Sequence, residues 1–239
     1  MIRRDVSGFI ARRLSSEEYL GLHLTIGLLV CLLLVGAFGL LARAVVGESA
    51  LTEFDRRIGL ALKEHRDQHE QVKHTLIVFT EIGSPEAMTV LTVLVALALL
   101  MRRRWLLALV WLFAVIGGAL LNQGLKTVIG RPRPDFRDDI IHETTNSFPS
   151  GHSMGAVIGF GLLAYFLLLA LPERREKIAV VVLAVALALT IGFSRVYLGA
   201  HYFSDVVAGY AVAGAWLSVC ISAIEVVRRR ARHRQRKVG

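Results

Sequence analysis

Long apolar blocks separated by short charged connections constrain this chain more than any other feature. Leu20–Leu41, Trp105–Leu125, Ser153–Leu171 and Phe203–Val227 are each near or above the ~20 helical residues that cross the ~30 Å hydrocarbon layer of a bilayer. Ala87–Leu100 and Ile178–Phe193 are shorter and complete a set of six. A soluble domain would spread its apolar residues periodically, because only one face of each element is buried. Within lipid every backbone polar group must find its partner inside the segment, so the spans are helices. The expected fold is all-α: an integral membrane bundle of six transmembrane helices.

The connections refine that expectation. Glu48–His74 is densely charged, yet Leu51, Phe54, Ile58 and Leu62 share one helical face. That pattern predicts an interfacial amphipathic helix after the first span; an ordinary amphipathic connector would show it too. Thr75–Ile82 is apolar and is interrupted by Gly83-Ser84-Pro85, which predicts a short half-buried segment ahead of the second span. Ala42-Arg43-Ala44 resembles a signal-peptidase site, but the apolar run before it exceeds the ~7–15 residues of a signal peptide, so the first span is expected to remain. The chain has no repeat or low-complexity region. It divides into an N-terminal arm (1–19), one six-span domain (20–227) and a basic tail (228–239). Cys31 and Cys220 lie inside apolar runs and read as small hydrophobic residues, not as a disulfide.

The net charge of +9 raises the question of nucleic acid, but no aromatic or groove-reading pattern accompanies the basic tail. In a membrane protein such charge records topology. Seventeen of the 28 Lys and Arg fall in the N-terminal arm, the Arg102 and Arg174 turns and the tail. The positive-inside bias therefore puts both termini in the cytoplasm. The polar segments after the third and fifth spans then face the extracytoplasmic side of a cell membrane. The tail reads as a topology anchor that could also meet anionic lipid heads at ~1 kcal/mol per charge.

Those two polar segments carry the chemistry. Lys126 and Arg133 flank a turn that Pro132 and Pro134 keep from continuing as helix. Arg offers a planar fork matched to phosphate and Lys a mobile point charge. Ser150 and Gly151 open the fourth span, where free N–H groups make an anion site and Gly permits close backbone approach. His152 follows directly. Further on, Arg195 precedes His201 and Asp205, which are four residues apart and so share a helical face. A carboxylate there can take one imidazole N–H and leave the other nitrogen for attack. Two histidines with nearby carboxylates could also hold a metal, but Lys126, Arg133 and Arg195 would repel a cation while suiting an anion. Singly, each piece has a plain reading: interfacial anchors, a Ser-capped turn, a hydrogen-bonded pair.

Together, Lys126-x6-Arg133-Pro134, Pro149-Ser150-Gly151-His152 and Ser194-Arg195-x5-His201-x3-Asp205 resemble, in order, the three-part signature of the type 2 phosphatidic acid phosphatase (PAP2) superfamily. The resemblance covers roughly residues 51–227, and three complete motifs are far more specific than one. It implies a membrane lipid phosphatase that works without a cofactor or metal. His201 would be the nucleophile that forms a phosphohistidine, Asp205 its orienting partner, and His152 the acid for the leaving group. Lys126, Arg133, Ser150, Gly151 and Arg195 would cradle the phosphate. Arg131 falls at a variable position of the motif. Asp135, Asp138, Asp139, His142 and Glu143 are expected in a solvated loop.

The expected substrate is a membrane lipid carrying a phosphomonoester or diphosphate, such as undecaprenyl diphosphate, phosphatidylglycerol phosphate or phosphatidic acid. A lipid phosphotransferase with the same site is the alternative. A non-enzymatic lipid transporter or scaffold would leave His152, His201 and Asp205 without a purpose.

Overall fold

The computed structural model describes residues 22–138 and 143–238, with side chains for 24–138 and 143–230. The N-terminal arm, Asp139 and His142 lie outside the described residues. Eight helices make up the described chain: α1 (Leu22–Val46), α2 (Ala50–Gln68), α3 (Glu70–Ile82), α4 (Pro85–Met101), α5 (Trp105–Ile129), α6 (Gly151–Ala170), α7 (Arg174–Tyr197) and α8 (Phe203–Val238). Five of them are long and apolar enough to cross a membrane. α3 and α4 meet the same test only as a pair, bent by 41° where Gly83-Ser84 interrupts the helix, which is the geometry of a broken span or a re-entrant loop. Ser84 accepts a hydrogen bond from Ala87 N, so the restart of the helix is capped from within the protein.

The bundle shows why apolar blocks and not apolar stripes mark this chain. Leu33, Leu40, Leu94, Leu109, Phe113, Leu120, Val182 and Leu189 are all exposed, as lipid-facing residues must be. The interior is built around Trp111, Ala114, Met154, Ile158 and Leu162, all buried. Hydrophobic burial does not drive helix association in lipid, so close packing and internal hydrogen bonds replace it. Trp111 Nε1 donates to Thr92 O (3.1 Å), tying α5 to α4, and Trp216 Nε1 donates to Ala114 O (2.8 Å), tying α8 to α5.

Three boundaries differ from the sequence expectation, each for a local reason. α5 runs past Leu125 to Ile129 and stops at Gly130, whose φ of 66° favours glycine, so Lys126 sits in the last helical turn. α7 begins at Arg174, where Glu173 and Glu176 form a capping box, and continues through Ser194 and Arg195 to Tyr197. α8 continues unbroken from the sixth span into the basic segment.

The charged region after α1 also differs. It is two helices separated at His69, with Ser49 capping the first. The face of α2 turned into the protein carries Asp55, Gly59 and Arg66, while Phe54 is 48% exposed. Leu51, Ile58 and Leu62 are only half-buried. Polar residues can occupy the inner face because each has partners. Arg66 donates to Tyr197 O (3.2 Å) and Phe136 O (3.1 Å), and Asp55 meets Arg131 and Ser204.

Candidate active site

Four helix ends converge beneath α2. α5 and α7 arrive by their C-terminal turns, carrying Lys126 and Arg195. α6 and α8 depart by their N-terminal turns, carrying His152 and Asp205, and His201 lies in the short turn between α7 and α8. Ser150 caps α6, accepting from Ser153 N and from Ser153 Oγ (3.0 Å). Its own N–H donates to Asp205 O (3.0 Å), so the starts of α6 and α8 are tied together. Gly209 allows that approach, since a Cβ there would lie 2.9 Å from Ser150 O.

The cations gather on one side of His201. Arg133 Nη1 donates to Ala200 O (2.8 Å) and lies 3.4 Å from His201 Nε2, while its Nε donates to Thr145 O (2.7 Å). Arg195, 2% exposed, is anchored by donating from Nη1 to Thr80 Oγ1 (2.8 Å). Lys126 Nζ donates to Thr145 Oγ1 (3.1 Å). Between the two guanidinium groups sits a carboxylate. Glu143 Oε2 is 2.5 Å from Arg133 Nη1 and its Oε1 is 2.6 Å from Arg195 Nη2, with His152 Nδ1 3.9 Å from that same Oε1.

On the other side of the imidazole, Asp205 is fully buried. Its Oδ2 accepts from Tyr202 N (2.9 Å), its Oδ1 from Arg131 Nη1 (2.6 Å), and His201 Nδ1 is 3.4 Å from Oδ2. That last distance is outside good hydrogen-bond geometry, so the buried Nδ1 has no hydrogen-bond partner among the described residues. Burial, reinforced by Arg195, Arg133 and Lys126, holds His201 well below the usual imidazole value, so the ring is neutral. Burial opposes ionisation of Glu143, yet Arg195 and Arg133 outweigh it and keep the carboxyl below its usual range. An environment that favours an ionised carboxylate and a neutral histidine is an anion site beside a free nitrogen lone pair.

The eight residues singled out in sequence all come to this one end of the bundle. Ser150 and Gly151 contribute there as the cap and first residue of α6. Two loop carboxylates depart from expectation. Glu143 keeps a side chain 32% exposed, yet it is paired between the two guanidinium groups of the cationic cluster and not free in a loop. Asp138 is buried and paired with Arg66 (3.4 Å) and Lys73 (3.2 Å). Asp135 is exposed, as expected of the loop. Sequence reasoning missed Asp55, Thr80 and Thr145, and left Arg131 at a variable position of the motif without a role. Asp55, Gly59 and Arg66 do share a helical face, and that polar stripe was the available signal.

Comparison with known proteins adds independent findings. A family model described as the PAP2 superfamily matches residues 107–229. The chain is 33% identical over 176 residues to phosphatidylglycerophosphatase B of Bacillus subtilis, covering 73% of this chain and 85% of that protein. It is 40% identical to the lipid A 1-phosphatase of Rhizobium johnstonii over 45% of this chain, and spans only 43% of that relative. It is 35% identical to the decaprenylphosphoryl-5-phosphoribose phosphatase of Mycobacterium tuberculosis, over 61% of this chain and 75% of that one. The crystal structure of a transmembrane PAP2 type phosphatidylglycerolphosphate phosphatase from Bacillus subtilis superposes with a TM-score of 0.76. It is 31% identical, with 82% of this chain and 96% of that one covered.

Proposed function

The chain belongs to the PAP2 superfamily as a multi-pass membrane phosphatase, and from that premise we propose that it removes the terminal phosphate of a membrane lipid through a phosphohistidine on His201. The observation that carries this reading is Glu143. A carboxylate already sits between Arg133 and Arg195, and the Arg133 Nη1 that holds it lies 3.4 Å from His201 Nε2. A phosphoryl group offers more oxygens and more charge to the same donors, and so would displace it.

In the proposed reaction His201 Nε2 attacks phosphorus, the bond from phosphorus to the lipid oxygen breaks, and His152 gives that oxygen a proton. Asp205 faces the opposite ring nitrogen and steadies the positive charge that builds on the imidazole. Water then attacks the phosphohistidine, His152 takes the water's proton, and the P–N bond breaks to release inorganic phosphate. Lys126, Arg133 and Arg195 hold the equatorial oxygens as charge redistributes; the N–H groups that open α6 at Gly151 add neutral donors. The net change is one water consumed and one phosphate released. The lipid leaves as an alcohol from a monoester, or as a monophosphate from a diphosphate.

The substrate class follows from what lies beside the cradle. A cavity of about 600 Å³ between α4, α5 and α6 reaches His152 and is lined by Met88, Thr92, Gly118, Asn122 and Met154. It is largely apolar and suits the first carbons of a lipid tail, with the head group at Arg133. Relatives named for phosphatidylglycerophosphate, lipid A and a decaprenyl phosphosugar support a lipid phosphate of this kind. The lysine and arginine distribution supports termini in the cytoplasm and a site on the extracytoplasmic side.

The test is phosphate release by detergent-purified protein from phosphatidylglycerol phosphate, phosphatidic acid and undecaprenyl diphosphate, with EDTA present. Release should survive chelation and vanish in both His201→Ala and His152→Ala. Turnover retained by His201→Ala would overturn the phosphohistidine, and product that appears only with an added alcohol acceptor would make the protein a phosphotransferase.

A further inference from the structure

We propose that Asp55 and Arg131 are positioning residues for the His201–Asp205 pair, Asp55 returning to that buried cluster the negative charge that Arg131 removes. The proposal rests on the reading of His201 as the nucleophile.

The geometry is a closed chain of buried charge. Arg131 Nη1 meets Asp205 Oδ1 at 2.6 Å, and its Nη2 meets Asp55 Oδ2 at 2.8 Å. The same Nη1 donates to Ser204 Oγ (2.8 Å), and the guanidinium carbon lies 4.0 Å from the centre of the Tyr202 ring. Asp55 accepts from Ser204 N (2.9 Å) and from Ser204 Oγ (2.5 Å). The side chains of Asp55 and Asp205 are 0% exposed and that of Arg131 is 8% exposed. Asp55 comes from α2, outside the three motifs, and reaches the first turn of α8 across 149 residues of sequence.

Charge counting gives this arrangement its meaning. Arg131 with Asp205 alone would be a neutral pair, and a neutral pair does little for a developing imidazolium. With Asp55 added, the cluster of two carboxylates and one guanidinium keeps one net negative charge beside His201 Nδ1. Across the ring the field has the opposite sign. Lys126 of α5 and Arg195 of α7 face His201 with His152 of α6, and the loop adds Arg133 and, among the described residues, the anion Glu143. The Asp55–Arg131–Asp205 cluster is thus the counterweight that lets the ring gain positive charge as Nε2 bonds to phosphorus. Arg131 also fixes Asp205 in place, leaving its Oδ2 for Tyr202 N and the His201 face.

Two single variants should shift the site in opposite directions. Asp55→Asn keeps the shape and leaves a cluster of zero net charge; Arg131→Gln leaves two negative charges. The readout is the pH dependence of kcat/KM for dioctanoyl phosphatidic acid in detergent, beside thermal melting of each variant. Ionisation of the substrate is common to all and cancels in the comparison. Asp55→Asn should move the acid limb to lower pH and lower kcat about tenfold, the factor that one pKa unit represents, with KM little changed. Arg131→Gln should move the limb to higher pH. The double variant restores one net negative charge, so its limb should return to the wild-type position; it also keeps the test decisive where a single variant fails to fold.

Limbs that stay in place, or move the same way in both single variants, while activity falls in step with melting temperature would overturn the proposal and leave a structural brace. A double variant whose limb is displaced would overturn it as well. His201→Ala runs alongside. If that variant still turns over, the nucleophile reading fails; if it is dead and the opposed shifts are missing, only the positioning role fails.

Discussion

The protein has a charged cluster at each end of its bundle, and the two are built on different terms. At the end away from the site, Glu225 of α8 accepts from Tyr165 of α6 (2.5 Å), pairs with Arg228 at 2.6 Å and lies 3.5 Å from Arg229. These ionised side chains keep between 21% and 29% exposure, so water still solvates them. At the site end the side chains of Lys126, Arg133 and Arg195 are largely buried; among the described residues both arginines pair with Glu143, while Lys126 donates to Thr145. Burying charge costs several kcal/mol per ion unless pairing is complete, and among the described residues the cations of the site outnumber the acid they meet. The far cluster is an anchor that a helix end could adopt anywhere. The site cluster is held together by the rest of the fold, at a cost in stability that the proposed phosphate ligand would offset.

The largest effect should follow from His201. Alanine there should lower turnover by at least about 10³-fold, as removal of a nucleophile does, in a phosphate-release assay. The same residue supplies a pH test. Its value lies well below the ordinary imidazole range because burial and three cations disfavour the charged ring. Protonation would disable the attacking nitrogen, so the loss that His201 causes should come on the acid side and well below pH 6.5. A ¹⁵N-histidine spectrum in which His201 is half-protonated at 6.5 would show that the cationic field is weaker than the comparison requires.

Arg195→Lys comes next. A lysine cannot hold both Thr80 and the anion, and turnover should drop about 10²-fold, measured as kcat at saturating lipid. A drop of only a few-fold would place Arg195 with the anchors of the far end. Glu143→Gln should act in the opposite sense. With the resident carboxylate neutralised, inhibition by orthovanadate should tighten by about tenfold, or roughly 1.4 kcal/mol. Weaker inhibition would mean that Glu143 helps to build the cradle. The smallest effect belongs to the far end. Glu225→Gln should cost less than about 1 kcal/mol in thermal stability and leave turnover unchanged. Impaired turnover there would break the contrast between the two ends.

Much of the site was legible before any coordinates. Lys126, Arg133, His152, Arg195, His201 and Asp205 stand out because polar residues between membrane spans are few and carry chemistry or topology. Asp55 and Glu143 were harder to see. Asp55 lies in a region whose apolar periodicity drew attention to its other face. Glu143 sits among the acids of a loop, where the ordinary reading is solvation, and what pairs it comes from α7 and from Arg133 ten residues earlier. Neither placement follows from local pattern.

By itself, the sequence determined the all-helical membrane-spanning architecture and the family, and it supplied the residues proposed to handle phosphate. Those depend on the length of apolar runs and on side-chain chemistry, which are properties of the chain. The tertiary structure alone decided which helix ends meet, which carboxylate enters the cationic pocket and which inner face α2 presents to Arg131. Such pairings join residues as far apart as 55 and 205, and they depend on how helices pack in three dimensions.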